Sequence, residues 1–151
     1  MSVEIPIDPE TYDADDRGER RLVLEMDHEA AVERVREALT DAGFGIATEF
    51  TPSEMLNEAV DAGRDPYTII GACNPGVADD ALTETDGVMG GLFPCNFAIW
   101  AQEDGSQVVY HVSIMKLARL VGLAPNNDAW ADIVERTGDY TEEAWAAIDQ
   151  N

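Results

Sequence analysis

The chain has 151 residues, of which 45% are hydrophobic, so one folded domain can bury a core without a framework of disulfides. Its 31 acidic and 9 basic residues give a formal net charge of −22. Nucleic acid and anionic membranes are excluded as expected partners, because both bind positive surfaces. The acidic residues are spread over nearly every segment, which favours adaptation to a high-salt cytoplasm over a surface dedicated to cations or to a polybasic partner. No apolar run approaches the ~20 residues that span a bilayer, and the start of the chain lacks a signal-peptide pattern, so a cytoplasmic protein is expected.

Hydrophobic periodicity predicts a β-α-β-α-β-α-β-β order followed by helices. Residues 1–19 are acidic with few apolar positions and are predicted to form an arm outside a single domain, residues 20–151. Alternating apolar and polar residues predict strands at 21–26, 44–50, 67–73, 97–102 and 107–114, and three- to four-residue spacing predicts helices at 28–42, 52–62 and 75–82. The fold class is therefore α+β, a two-layer sandwich with helices packed on one face of a mixed β-sheet and further helices at the C-terminus.

Capping residues and glycines indicate where the helices start and stop. The predicted N-caps are Asp27, Thr51 and Asn74, and Thr51 forms a capping-box pattern with Glu54. The glycine-rich stretch 85–91 is predicted to be flexible. Gly138 is predicted to divide the C-terminal region into short helices, with Thr141 as the cap of the last one.

Several segments of the chain resemble the domain of unknown function 302 family. The similar segments are AVERVREALTDAGFGIATE at 31–49, IIGACNPGVADDAL at 69–82, GGLFPCNFAIW at 90–100 and VSIMKLARLVG at 112–122. The resemblance covers residues 20–148 and implies a compact two-layer α/β domain that forms dimers. It implies no activity, because none is established for the family, and no catalytic residue carries over from it.

The only two cysteines lie in motifs that are near mirror images, Cys73-Asn74-Pro75 and Pro94-Cys95-Asn96. The first motif follows a predicted strand and opens a helix, and the second precedes a strand. Polar and thiol groups on turns at strand ends are typical of binding sites in α/β sheets. We therefore expect the two motifs to frame one site, with the alternative that both are structural corners.

A hairpin around Asp104-Gly105 predicts which side chains share a face of the sheet. A two-residue turn places Ala98 opposite His111, so that Cys95 points towards the core while Asn96 and His111 point to the opposite face. The hairpin also places the aromatic Trp100 on that face, and the residues that the other strands add to it are predicted to be small or polar, namely Gly45, Ala47, Thr68 and Ala72. A second subunit is the expected cover for such a face, with a ligand as the alternative.

Cys73 is the cysteine with the stronger chemical case. It immediately precedes a predicted helix, whose N-terminal N–H groups favour a thiolate or an anionic ligand, although the same residues also suit a plain strand-to-helix corner. No metal site is expected within one chain, because a closed zinc site takes four ligands in paired spacings that this sequence lacks. Two alternative ligand sets for a metal would be four thiolates from two chains, or both cysteines together with His111.

These observations favour an uncharacterised homodimer that works as a ligand-binding or sensing module. Its candidate ligand-binding residues are Cys73, Asn74, Cys95, Asn96 and His111. The alternative is a thiol-dependent redox, sulfur-transfer or metal-handling protein acting through Cys73, and a third hypothesis is a purely structural or interaction protein. The sequence contains no phosphate loop, dinucleotide fingerprint, nucleophile elbow or zinc-protease motif, so no enzyme class, substrate or cofactor is assigned.

Overall fold

The computed structural model describes residues 18–150, and its elements follow the predicted order. The strands are β1 (Glu19–Leu24), β2 (Gly45–Phe50), β3 (Tyr67–Cys73), β4 (Cys95–Ala101) and β5 (Gln107–Val112). The α-helices are α1 (His28–Asp41), α2 (Pro52–Val60), α3 (Pro75–Glu84), α4 (Ile114–Leu120) and α5 (Asp128–Ile148), and a 3-10 helix spans Val88–Leu92. The predicted acidic arm, residues 1–19, lies outside the described residues except for its end, where β1 begins at Glu19.

The five strands form one open sheet in the order β1-β5-β4-β3-β2, and every neighbouring pair is antiparallel. The prediction of a mixed sheet is therefore wrong on this point, while the α+β class with C-terminal helices is confirmed. The connection between β2 and β3 shows why. Helix α2 and the segment 61–66 return the chain to the end of the sheet where β2 finished, so β3 runs back beside it.

The core lies between one face of the sheet and a layer of helices. Helix α1 packs on β4, β3 and the edge strand β2, and α5 packs against α1 and α3. On this face of the sheet the largest fully buried side chains are Ile70, Phe97 and Ile99. The helices cover them with apolar stripes at three- to four-residue spacing, Val32, Val35 and Leu39 in α1 and Trp130, Ile133 and Ile148 in α5.

Helix α5 is one continuous element of 21 residues, so the predicted division at Gly138 is wrong. Gly138 is exposed and its position meets no neighbouring atoms, so it costs the helix only the ordinary glycine penalty of about 1 kcal/mol. Thr141 is likewise an interior residue and not a cap. Its hydroxyl donates to the carbonyl of Thr137 at 2.8 Å, which satisfies a polar group that would otherwise be buried alone.

The stretch 85–91 is predicted to be flexible, but it contains most of the 3-10 helix. Met89, which is fully buried, anchors it. The hydroxyl of Thr85 accepts a hydrogen bond from the backbone N–H of Met89 at 3.0 Å and donates to the carbonyl of Ala81 at 2.8 Å. These bonds hold the segment against α3 and fix the approach to β4. The peptide bond between Phe93 and Pro94, directly after it, is cis.

The β4–β5 hairpin has a three-residue loop, which shifts its register by one residue from the prediction. The backbone N–H of Gly105 donates to the carbonyl of Gln102, and the N–H of Gln102 donates to the carbonyl of Ser106. Of the two turn residues only Gly105 has a positive φ, of 87°, whereas a two-residue turn of the predicted type needs positive φ at both. Phe97 consequently pairs with His111. A shift of one residue moves every side chain of β5 to the other face.

Two of the four predicted helix caps are confirmed, since Thr141 lies inside α5. The side chain of Asp27 accepts from the N–H of Ala30 at 2.8 Å, and Asn74 caps α3. Thr51 makes no side-chain cap, because its backbone carbonyl accepts from the first N–H groups of α2 instead. Helix α2 ends at Val60, and its C-cap, Asp61, takes a left-handed conformation with a φ of 52°.

Candidate functional site

The two cysteine-containing motifs meet at one end of the sheet. Cys73 is the last residue of β3, Cys95 is the first residue of β4, and the register places Ala72 directly opposite Cys95. Together they form one side of a half-open recess between the sheet and the helices. The recess is lined by Phe44, Ala72, Cys73, Asn74, Val77, Ala78, Phe93, Pro94, Cys95, Met115, Thr137 and Tyr140.

The recess is small and carries no charged side chain. It encloses about 320 Å³ of space between atoms when its open mouth is included. Its enclosed part has room for about one water-sized guest. Asn74, Thr137 and Tyr140 are the polar residues of its lining besides the cysteines, and the rest is apolar. The recess therefore suits a small uncharged group more than a ligand that needs a counter-charge.

Both polar atoms of the Asn74 side chain form hydrogen bonds that shape the corner at the recess. Its side-chain oxygen accepts from the backbone N–H of Val77 at 3.2 Å, which caps α3, and its amide nitrogen donates to the carbonyl of Gly43 at 3.3 Å. Pro75 follows at the first helical position, where its missing N–H costs nothing. Asn74 thus ties the start of α3 to the end of α1 and holds Cys73 at the rim.

Cys73 is half-buried, and burial raises the pKa of its thiol above the ordinary value. Burial makes the charged form of Cys73 more costly, and this direction of the pKa argues against the thiolate that the N-terminus of α3 is expected to favour. A reactive cysteine requires a lowered pKa. Cys73 is therefore a protonated thiol at neutral pH, with one side open to solvent.

Cys95 points into the core, as its predicted face requires, and is only 8% exposed. Burial, and to a smaller degree the neighbouring Cys73, raise the pKa of Cys95 to about 12. The electrostatic interaction between the two thiols follows from their positions on adjacent strands. Within the described residues both cysteines are free thiols.

Asn96 and His111 do not reach the recess. The side chain of Asn96 is exposed on the face of the sheet that the helices leave open, where the prediction put it. His111 was predicted on that open face as well, but the shifted register turns it into the core. There its ring stacks on Phe97 with centroids 4.2 Å apart. Of the five candidate residues, the structure brings Cys73, Asn74 and Cys95 together and separates the other two from them.

The buried imidazole of His111 is neutral. Burial, with a smaller contribution from Arg20, lowers the pKa of His111 to about 4, although the bond to Asn96 acts in the opposite direction. Because the neighbouring atom is the backbone carbonyl oxygen of Asn96, at 2.9 Å, Nδ1 carries the hydrogen and donates it. This arrangement is that of a satisfied structural histidine.

The open face of the sheet is more aromatic than predicted. Tyr67 and Trp100 stack with centroids 5.4 Å apart, Tyr110 lies 6.3 Å from Trp100, and the guanidinium of Arg21 lies 5.6 Å from the Trp100 ring. The predicted members Thr68 and Ala72 belong to the helix side instead, where both are buried, because they alternate with the exposed positions of β3. 

Gly71 lies on the open face where the two motifs cross. A Cβ atom at this position would collide with the ring of Pro94 and with the side chain of Thr48. Glycine is therefore required for Pro94 to lie across β3, and that position of Pro94 in turn forms part of the recess.

The sequence patterns did not lead to the prediction of a second polar group, which is centred on His28. This first residue of α1 contacts Thr68 Oγ1 through Nε2 at 2.7 Å and Gln107 Oε1 through Nδ1 at 2.8 Å. Since the amide oxygen can only accept, Nδ1 donates to Gln107, and the Thr68 hydroxyl is the hydrogen-bond partner of Nε2. Thr68 and Gln107 are 5% and 2% exposed, so the group ties α1 to β3 and β5 across the sheet. The available signal was a polar residue on the core face of each strand, since buried polar groups need partners.

The described part of the chain contains neither a cluster of typical metal ligands nor a helix suited to span a membrane. Among residues 18–150 there is no cluster of three His, Cys, Asp or Glu side chains that could hold a metal ion. In the same range, no helix is long and apolar enough to cross a membrane. The pair of thiols at the recess would therefore need a donor of another type to complete a metal site.

Comparisons with known proteins agree with the fold. A crystal structure described as an uncharacterized conserved protein DUF302 from Bacillus stearothermophilus superimposes with a TM-score of 0.72 and 22% sequence identity. The match covers 87% of this chain and 96% of that one. No protein with a curated description matches the sequence significantly. The sequence profile described as domain of unknown function DUF302 matches residues 21–148, and the chain therefore belongs to the DUF302 family.

Proposed function

We propose that the protein is a small cytoplasmic ligand-binding or sensing module whose site is the recess between the two cysteine motifs. One observation carries the proposal: Cys73 and Cys95, from motifs that are distant in sequence, line the same recess at one end of the sheet. Loops and strand ends on a rigid scaffold are common positions for binding groups. The half-exposed Cys73 marks the side from which a ligand enters.

The lining favours a ligand that is small and uncharged, or an ion that binds soft donors. The raised pKa values of both thiols keep them protonated at neutral pH, so the recess presents no formal charge to a guest. Aromatic rings of Phe44, Phe93 and Tyr140 supply apolar contacts. A carboxylate or phosphate ligand would find no cation in this lining.

The test is a binding experiment with a variant that fills the recess. Indole and phenol, which are uncharged at neutral pH, serve as small probes in ligand-observed NMR. Ala78 lines the recess, so Ala78→Leu should abolish the saturation transfer seen with the unchanged chain. Ala147→Leu, an exposed alanine of α5, is the matched control and should bind as the unchanged chain does. Equal signals for both variants, or none with any protein, would count against the recess as a site.

The module is proposed to act as a homodimer through β2 and α2. Strand β2 is the last strand of the sheet, so its outer edge has no partner strand among the described residues, and such edges pair readily with a second chain. Phe50, Met55 and Val60 add an apolar surface beside this edge, with Val60 69% exposed. A symmetric pairing of two β2 strands would cover both features.

Light scattering in high salt tests the dimer, because screening is needed to offset the repulsion between two chains of charge −22. The unchanged chain should have the mass of a dimer, and Val60→Asp should reduce it to a monomer. Val23→Asp is the matched control, since Val23 is 48% exposed on β1 at the opposite edge of the sheet, and it should remain dimeric. A monomeric unchanged chain would refute this part of the proposal.

The thiol-dependent alternative includes two kinds of chemistry, redox or sulfur transfer on the one hand and metal handling on the other. Redox or sulfur-transfer chemistry through Cys73 needs an activated thiolate, and the raised pKa of Cys73 argues against it. Metal handling does not need a free thiolate beforehand, because a metal ion displaces the thiol protons as it binds. The presence of both cysteines in the lining of one recess favours this second branch.

A further inference from the structure

The open face of the sheet carries an apolar and aromatic surface. The register assigns alternate residues of every strand to this face. The large side chains that the three central strands contribute to it are Tyr67, Ile69, Trp100, Val108, Tyr110 and Val112. These three strands add no charged side chain to the face, although the chain contains 31 acidic residues. A sheet face that stays in water is normally polar, so this composition indicates a surface that is covered.

One part of the open face is already covered by side chains of the sheet itself. Arg21 of β1 and Trp100 of β4 lie on either side of β5, and the guanidinium of Arg21 is 5.6 Å from the Trp100 ring. Val108, which lies on β5 between them, is fully buried although it does not belong to the core under the helices. Tyr67 and Ile69 are only half-buried. The rest of this apolar surface therefore needs a further segment to cover it.

The sequence that precedes β1 contains a segment of suitable chemistry. Residues 1–17 lie outside the described part of the chain and lead directly into Gly18. Residues 1–7, MSVEIPI, have apolar residues at every second position, Val3, Ile5 and Ile7, and a single acidic residue, Glu4. The other acidic residues before Gly18 all belong to residues 8–17. The sequence thus divides into an apolar end and an acidic connection to the domain.

The connection is long enough for the apolar end to reach any part of the open face. The carbonyl of Gly18 accepts from the backbone N–H of Ser113 at 3.0 Å, so the chain enters the described fold beside the end of β5. Ten residues, 8–17, can span up to ~33 Å. Five strands that lie ~4.8 Å apart form a face only about 20 Å wide. A segment tethered in this way has an effective concentration on the order of millimolar, so a modest affinity is sufficient.

We propose that residues 3–7 bind the open face of the same chain, around Trp100. Every second side chain of an extended segment points to the same side, so Val3, Ile5 and Ile7 would contact the sheet together. Glu4 supplies a negative charge for Arg21, the basic residue that the described strands place on this face. A second copy is disfavoured as the cover, because it would bring a further net charge of −22. The inference goes beyond the function proposed above and does not depend on the recess.

Paramagnetic broadening of fluorine NMR signals tests this contact in the full chain. The three tryptophans are labelled with fluorotryptophan, and Trp100→Phe identifies the Trp100 signal. A nitroxide is attached to Ser2→Cys in a Cys73→Ser background, where the remaining cysteine, Cys95, is buried. The label should broaden the signal of Trp100 much more than that of Trp145, which belongs to α5 on the other side of the sheet.

A nitroxide on α5 is the control for the position of the label. Ala147→Cys lies on the exposed side of α5, two residues from Trp145. In the same Cys73→Ser background it should broaden the signal of Trp145 more than that of Trp100, which is the reverse of the pattern expected for the label at residue 2.

Added charge at selected positions identifies the residues that bind the face. Ile5→Asp should lower the ratio of bound to free segment by about 10-fold or more, since burial of one isoleucine side chain corresponds to at least that factor. The broadening of Trp100 by the label at residue 2 should fall accordingly. Thr11→Asp is the matched control, because it adds the same charge within the acidic connection, and it should leave the broadening unchanged.

A mixed sample distinguishes the same chain from a second copy as the source of the segment. Chains that carry the nitroxide but no fluorine are mixed with fluorinated chains that carry no nitroxide. No broadening is expected in this mixture. Broadening of Trp100 there would overturn the proposal, because it would show a contact between copies. An unbroadened Trp100 in the doubly labelled chain, or equal broadening in Ile5→Asp and Thr11→Asp, would overturn it as well.

Discussion

The two cysteine–asparagine corners contain the same residues but use them in opposite ways. At the first corner the side chain of Asn74 does the structural work, because it caps α3 and bonds Gly43, and Cys73 remains half-exposed. At the second corner the side chain of Asn96 is exposed, and only its backbone carbonyl is used, as the acceptor for His111.

The difference comes from the secondary structure on either side of each asparagine. Asn74 follows the last residue of a strand and lies where a helix begins, so its side chain turns back to the helix N–H groups. Asn96 lies inside a strand, directly after Cys95, so the two side chains must point to opposite faces. Identical residues in two motifs therefore have the same structural role only when the backbone around them has the same conformation.

The largest expected contrast is the rate at which the two thiols react with iodoacetamide. Cys95 should react only when the fold opens, so with a folding stability of 5 kcal/mol or more it should be slower than Cys73 by at least about 1,000-fold. Cys73 should still react more slowly at neutral pH than in the urea-unfolded chain, because burial raises its pKa. Mass spectrometry of peptides over time measures both rates.

Two results would contradict this prediction. Similar rates for the two thiols would mean that Cys95 is accessible in the folded state. A Cys73 that reacts faster folded than unfolded would indicate an activated thiolate and revive the redox alternative. The urea-unfolded chain serves as the control, because both cysteines should react equally there.

A second effect concerns His111, which the carbonyl of Asn96 holds in the core. Its folded pKa of about 4 lies below the ordinary value of 6.5, so the unfolded chain binds a proton that the folded chain does not accept. The stability from the neutral imidazole is present above pH 6.5 and is lost as the pH falls towards 4. The shift corresponds to roughly 3 kcal/mol of lost stability over that window.

Urea unfolding at constant high salt across this pH window tests the contribution. His111→Gln should lose about 3 kcal/mol less stability than the unchanged chain as the pH falls, because it lacks the titrating group. His28→Gln is the comparison that retains His111, and the contribution of His111 should persist in it. Parallel pH profiles for the unchanged chain and His111→Gln would show that His111 does not titrate as described.

Much of the fold could be predicted from local patterns. The bounds 67–73 of the third strand were predicted correctly because apolar residues and flanking turn signals agree there, and Asp27 and Asn74 were identified as caps from residue type and position. The prediction of a helix break at Gly138 was wrong, because an exposed glycine ends a helix only when the packing of the helix's other face is too weak to hold the helix together.

The site could be predicted only in part. Cys73 and Cys95 were expected together because both lie at strand ends, but His111 was placed wrongly because Asp104-Gly105 suits a two-residue turn and a three-residue loop alike. The two loops differ in the φ of Asp104, which composition does not determine. Met115 could not be assigned to the recess, since its position depends on how α4 packs after Ser113 caps it.

Gly71→Ala is expected to weaken the contact between the two corners. The new methyl group would collide with Pro94 and Thr48, so the free energy of unfolding should fall by about 2 kcal/mol and the recess should distort. Gly138→Ala is the control, since nothing surrounds that position, and it should raise the stability by about 0.5–1 kcal/mol. Chemical denaturation measures both, and a neutral Gly71→Ala would mean that Pro94 moves aside without cost.

The smallest expected effect separates the two asparagines directly. Asn74→Ala removes the cap of α3 and the bond to Gly43, so it should lower the free energy of unfolding by about 1 kcal/mol. Asn96→Ala keeps the backbone carbonyl that His111 uses and removes only an exposed side chain, so the change should stay within about 0.5 kcal/mol. Both variants are compared by urea denaturation under the same salt conditions. Equal losses would mean that the side chain of Asn96 has a structural role like that of Asn74, and the two corners would then be equivalent after all.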